Sequence, residues 1–162
     1  MSYPLDPKTL QILDRVIEVL KDVTAGADYF YSIGGNVIKG IVGYDTLTSF
    51  PFDMVYLGPE HSAPEYQPDG LVIKFPTIQV EGYVDATGEE DTITRLIKHL
   101  RDVQKAVNED TKSGAGAGSL GVIAVYARVG IAETDDGMLA GDGRAAFKLS
   151  INCCVDGDWG EL

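Results

Sequence analysis

Two stretches near the C-terminal end decide the fold: Val122-Ile123-Ala124-Val125-Tyr126-Ala127-Arg128-Val129-Gly130-Ile131, and Ala145-Ala146-Phe147-Lys148-Leu149-Ser150-Ile151-Asn152-Cys153-Cys154-Val155. In the first, Ile123, Val125, Ala127, Val129 and Ile131 alternate with Val122, Ala124, Tyr126, Arg128 and Gly130. In the second, Phe147, Leu149, Ile151, Cys153 and Val155 alternate with Lys148, Ser150, Asn152 and Cys154. A period of two is the signature of strands that bury one face and wet the other, so the pair predicts a β-hairpin. Between them, Glu133-Thr134-Asp135-Asp136-Gly137-Met138-Leu139-Ala140-Gly141-Asp142-Gly143 is too long for a two-residue turn and too polar for core, which predicts a protruding, mobile loop.

Upstream of the hairpin the period changes to that of a helix. Ile93, Leu96, Ile97, Leu100, Val103 and Val107 form one stripe, with Arg95, Lys98, Arg101, Asp102 and Lys105 opposite. Thr87-Gly88-Glu89-Glu90 has the spacing of a capping box at its start. On this pattern His99 is a surface residue, and the basic residues belong to a solvated helix face rather than a phosphate site. A second amphipathic helix carries Leu10, Leu13, Val16, Ile17, Leu20 and Val23, with Asp6 as N-cap, Pro7 in the first turn and Gly26 as C-terminal cap. Tyr29–Ile33 and Val37–Val42, divided by Gly34-Gly35-Asn36, read as a strand pair, and Phe52–Leu57 as a third strand. The proline-rich stretch 58–70 reads as loop. The run 71–85 is β-like, with a break at Pro76, which has no N–H for a ladder. Helix, strands, helix and hairpin without a linker predict one α+β domain over residues 1–162, an antiparallel or mixed sheet with two main helices on one face.

Composition narrows the function. The chain has 162 residues, enough to bury about two thirds of its unfolded surface. Its formal charge is −12, from 25 acidic and 13 basic side chains, which disfavours nucleic acid and anionic membranes as partners. No apolar run reaches the roughly 18 to 20 residues of a membrane span, and Met1–Leu10 reads as neither a secretory signal nor a transit peptide, so synthesis in cytoplasm is expected.

Catalytic constellations are not found. Gly114–Gly121 leaves a helix and enters a strand, the reverse of a phosphate-binding loop, and the following Lys is absent. The two histidines, His61 and His99, have no Ser or Cys nucleophile in view. Two adjacent cysteines, Cys153 and Cys154, point to opposite faces of a strand and read as packing residues, not a bridge or a zinc site. The acid pairs Asp135-Asp136 and Asp156-Gly157-Asp158 lack the full pattern of a calcium loop. The expectation is therefore no catalytic residue, no metal and no cofactor.

The helix with its Asp102-Val103 step, Val107-Asn108-Glu109-Asp110, the Gly-rich connector, the strand Ile123–Ile131, the Glu133–Gly137 loop and the closing strand together resemble tail terminators of long-tailed bacteriophages, similar to the minor tail protein U of lambdoid phages. The N-terminal helix and the Phe50-Pro51-Phe52 step into a strand stand in the matching places; the 58–70 loop has no counterpart in the likeness. The resemblance implies a non-enzymatic virion protein that forms a ring, a hexamer, caps the finished tail tube and meets the head connector; an acidic lumen in such a ring would let DNA pass without specific binding. Other virion subunits, a head–tail connector or a tail-tube protein, are the nearest alternatives; a small ligand-binding module or hydrolase is more remote. Contacts are expected in the loop from Asp135 to Arg144, including Asp136, Met138 and Leu139, and at the outward-facing Arg128 and Lys148, since loops and edges carry most recognition.

Overall fold

The structure is a computed structural model that describes residues 7–86, 90–113, 124–139, 143–158 and 162, with backbone only at 111–113 and 136–139. In chain order it contains α1 (Lys8–Lys21), β1 (Val37–Lys39), a 3-10 turn (Tyr44–Thr46), β2 (Phe52–Gly58), β3 (Glu65–Tyr66), β4 (Val72–Lys74), β5 (Thr77–Asp85), α2 (Thr92–Ser113), β6 (Tyr126–Leu139) and β7 (Arg144–Gly157). The architecture is α+β, as the periodicities predict: two helices and a mixed, mostly antiparallel sheet.

β7 is the spine of the sheet. Residues Arg144 to Asn152 pair with β5, Val155 to Gly157 pair with β4, and β6 runs along the other side. The break between β5 and β4 falls at Pro76, where the Cys153 N–H donates to the Pro76 carbonyl at 2.9 Å and keeps the spine satisfied. Beyond β5 lie β2, antiparallel, and then β1, parallel to β2.

Alternation along the spine divides the sheet into two faces. Ala145, Phe147, Leu149, Ile151, Cys153 and Val155 are buried in one cluster with Ile12, Val16, Leu20, Leu96, Val103 and Val107 of the helices. Burying such side chains stabilises by roughly 1.5 to 3 kcal/mol each. α1 packs against β1 and β2, whereas α2 packs against β5, β6 and β7. The other face is open. It holds a small cluster of Leu47, Met54, Tyr83 and Ala146 supported by Tyr44, Phe50, Phe52 and Tyr56.

Five expectations about the elements change. The stretch 58–70 is not loop throughout: it carries the short strand β3, which pairs with β4. The acidic stretch after Ile131 is not a free loop: β6 continues to Leu139 and pairs with β7 as far as Leu139 opposite Arg144, with register shifts at 129–132 and 135–139. Polar composition suggests a loop, but Glu133 and Thr134 are both exposed, so both faces of β6 are wet here and successive polar residues fit the strand. Tyr29–Ile33 is not a strand, and no hairpin forms with Val37–Lys39; β1 takes β2 as its partner instead. α2 is capped by Asp91, whose Oδ1 accepts the Thr94 N–H at 2.7 Å. Of the expected capping box, Thr87, Gly88 and Glu89 lie outside the described residues. Finally, α1 starts after Pro7 with no side-chain cap and ends at Asp22, so Gly26 does not cap it; Asp6 and Gly114–Gly121 lie outside the description.

Candidate assembly surfaces

The inner side of α2 is polar at two points where an apolar stripe was expected. His99 and Asp102 are both fully buried, while Ile93 and Ile97 are 50 % and 62 % exposed. The buried face is thus rotated to Leu96, His99, Val103, Ala106 and Val107. His99 is a core residue, not a surface one, because its Nε2 finds the Asp53 carboxylate of β2 at 2.9 Å. The ring lies against Phe147, 5.3 Å between centroids, and meets Tyr31 edge-on. Glycine at position 82 makes room for this arrangement: a Cβ there would come within 2.3 Å of Phe147 Cζ and 2.8 Å of Asp53 Oδ1. An aspartate–histidine pair of this kind could serve acid–base chemistry, but sealed from solvent it has no substrate to meet.

Asp102 fastens the segment that was expected to be a strand. Its Oδ2 accepts the Phe30 and Tyr31 N–H groups, each at 2.9 Å, and Oδ1 accepts from Arg101 at 3.2 Å. A carboxylate thereby replaces the ladder partner that these N–H groups would otherwise need. Above the fastening, the basic residues of α2 stack on three consecutive aromatic rings. Lys105 lies 5.0 Å from the Tyr29 centroid, Lys98 and Arg101 lie 5.2 and 5.3 Å from that of Phe30, and Arg95 lies 5.1 Å from that of Tyr31. The basic stretch of α2 is thus engaged within the chain. The strap 29–31 is held by one buried anion and four cation–π contacts, each worth about 0.5–1 kcal/mol at partly exposed positions.

Several other cations among the described residues are likewise paired internally. Arg15 meets Asp110 at 2.5 Å, Lys74 meets Glu60 at 3.5 Å, Arg95 meets Asp85 at 3.4 Å, and Lys39 pairs with Asp14. The negative charge in excess is therefore what the surface offers to partners.

The open face gathers the remaining polar chemistry. Tyr56 and Tyr83 both donate to Glu81, the former at 2.8 Å, and burial together with this carboxylate raises both phenol pKa values well above the ordinary tyrosine range. Lys148 is exposed between Glu81 of β5 and Glu133 of β6, directly opposite each in register. A groove of about 210 Å³ runs here, lined by Glu81, Tyr83, Glu133, Asp135, Ala146 and Lys148. Arg128 is exposed on the same face, its guanidinium 5.0 Å from the Tyr126 ring. The register thus brings Arg128, Asp135 and Lys148 onto one face. Arg144 has a different setting: it donates to the Tyr44 and Leu47 carbonyls at 2.8 and 3.2 Å and covers the Phe50 ring, tying the 3-10 turn to the start of β7. Asp136, Met138 and Leu139 lie in β6, but their side chains are outside the description.

Both cysteines are free and buried, and burial pushes the Cys153 thiol up to about 12, so it stays protonated at neutral pH. Among the described residues, no three His, Cys, Asp or Glu side chains gather as a metal site, and no helix is long and apolar enough to cross a membrane.

Residues 8–155, nearly the whole of this architecture, match the family described as Bacteriophage Tail Tube Terminator Protein. The chain belongs to that family. This terminator-family chain is accordingly a structural protein of a phage tail. A solved structure titled "Virion of native gene transfer agent (GTA) particle" contains a chain of similar fold: 16 % identity, a TM-score of 0.50, with 90 % of this chain and 94 % of that one covered. At that identity the likeness shows the fold alone. No curated protein matches the chain.

For the terminator-family chain, the missed residues are His99 and Asp102. His99 stands at helical spacing between Leu96 and Val103, inside the buried stripe, which was the available signal. Asp102 had none, because its partners are backbone N–H groups of a segment 71 and 72 residues away.

Proposed function

We propose that this chain closes the finished tail tube as a ring of identical copies, a hexamer, at the neck of the virion. There it meets the tail-tube protein on one side and the head connector on the other. The observation that carries the reading is the family match across residues 8–155. Two features of the fold support it. Exposed apolar side chains stand in two unlike places: Ile41 and Val42 just after the edge strand β1, and Ile93 and Ile97 on α2. A head-to-tail contact between unlike patches is the kind that generates a closed ring when the rotation closes. The net charge of −12 also suits a lumen through which DNA slides without adhering.

In this reading residues 1–162 act as one domain, whose two helices share a single core with the sheet. The open face, with Arg128, Asp135 and Lys148 and the adjoining stretch Asp136, Met138, Leu139 and Arg144, is the surface for other virion proteins. The work is done by self-association and surface fit, without a catalytic residue or cofactor, in a protein made in the host cytoplasm.

Deletion of the coding sequence, with complementation, tests the proposal. The expected result is tails that fail to join heads, restored by the intact protein but not by Ile97→Asp. Normal heads lacking any assembled tube would instead assign the chain to the tube itself, and normal infectious particles would overturn the proposal.

A further inference from the structure

We propose that two copies of the chain, before they enter a tail, pair through the outer edges of β6 in an antiparallel ladder whose two-fold axis passes between Gly130 and Ile131. One edge of β6 is taken by β7, and among the described residues no strand pairs with the other. Such an edge, carrying Ile131 at 76 % exposure, is a template for further strand pairing unless something covers it.

What covers it follows from the bulge. Val129 faces Ile151 and Ala132 faces Leu149, so Gly130 and Ile131 together oppose Ser150. In a regular strand Arg128 and Glu133, five residues apart, would point to opposite faces. The extra residue brings both onto the open face, opposite Asn152 and Lys148 respectively. A two-fold ladder about the bulge then sets Arg128 of each copy directly across from Glu133 of the other. Val129 stands across from Ala132 on the helix side, and Ile131 stands across from Gly130, where no side chain competes for space. Without the bulge the same register would place every pair on mismatched faces.

Both charges are available for the contact. Arg128 is exposed over the Tyr126 ring, Glu133 is exposed, and no ion pair within the described chain engages either. The charges are self-complementary, so the occupant is a second copy rather than a strand of arbitrary sequence, and each dimer makes the pair twice. In a ring of six the only two-fold lies along the ring axis and relates copies across the lumen, not neighbours in contact, so this contact belongs to the unassembled protein and stands apart from the ring reading.

The test is sedimentation of the full chain over a micromolar concentration range. The wild type is expected to dimerise. Arg128→Glu and Glu133→Arg, each placing like charges across both sites, are expected to weaken the dimer by about tenfold or more. The double exchange Arg128→Glu/Glu133→Arg restores it. Circular dichroism and the urea midpoint establish that each variant is folded. A nitroxide at Ile131→Cys adds a readout that does not depend on the charges: spin–spin broadening in the dimer, lost when Arg128→Glu is added. A wild type that stays monomeric, a dimer indifferent to Arg128→Glu, or a double exchange that fails to restore pairing overturns the proposal.

Discussion

Replacing Asp102 by alanine separates the strap from α2 without touching the apolar core. The carboxylate is fully buried and accepts the Phe30 and Tyr31 N–H groups at 2.9 Å each, with Arg101 at 3.2 Å. Hydrogen bonds to a charged group contribute about 1.5–3 kcal/mol, and a buried donor left alone costs about 1–3 kcal/mol. Three terms reduce the sum: Arg101 is half exposed, the strap can shift to let water reach its N–H groups, and the desolvation cost of the buried carboxylate disappears. The net expectation is a loss of about 2–4 kcal/mol, a large share of the roughly 5–15 kcal/mol that holds a domain folded. Asp102→Asn, which keeps one acceptor oxygen, should lose about half as much. Urea denaturation gives the stability, and amide exchange gives the place: the Phe30 and Tyr31 amides should lose protection before those of β7. A loss under about 1 kcal/mol with unchanged exchange at these amides would refute the account of the strap, since another group would then be holding it.

Gly82→Ala should destabilise by about 1–3 kcal/mol, because its Cβ would lie 2.3 Å from the Phe147 ring in a packed core; thermal unfolding measures it. Removing one member of the buried pair, as in His99→Leu, should cost about 1–3 kcal/mol by leaving the buried Asp53 carboxyl without its hydrogen-bond partner, and the joint change Asp53→Leu/His99→Leu should recover part of it in a double-mutant cycle. Tyr31, Tyr56 and Tyr83 have folded pKa values raised above the unfolded 10.0, so their contribution is complete below pH 10 and is lost as pH rises toward the folded values. Alkaline unfolding with late phenolate absorbance checks this, and Glu81→Gln should move the phenolate signal of Tyr56 and Tyr83 to lower pH. At the acid end Glu90 and Asp91 are depressed, by Lys98 and by the Thr94 N–H respectively. Their support for the start of α2 is present above the unfolded values of 4.5 and 3.8 and disappears as pH falls through the folded ones, which amide exchange in the first turn would report.

Much of the fold is legible in the sequence because period and face are local properties. The alternation of Phe147 to Val155 specifies a half-buried strand whatever its neighbours are, and Pro76 marks a ladder break from its own chemistry. What sequence could not give are choices settled at a distance. Tyr29–Ile33 has the composition of a strand, but Asp102 offers its N–H groups a nearer partner. β1 has two β-prone neighbours in the chain and pairs with the later one in parallel. The acidic run 133–139 looks like loop because β6 has a wet face, and only the partner strand reveals the ladder. The candidate contacts divide in the same way: Arg128 and Lys148 face outward as alternation requires, whereas Arg144 is drawn to the Tyr44 and Leu47 carbonyls across a turn that its own neighbourhood does not announce.

Electron cryomicroscopy of isolated tail tubes incubated with the purified protein decides whether this chain closes the tube. A closed ring of this chain is expected at one end of each tube, and tubes so capped should not elongate when more tube protein is supplied. Tubes that carry no density for the chain at either end, or that continue to grow with it bound, would contradict this expectation.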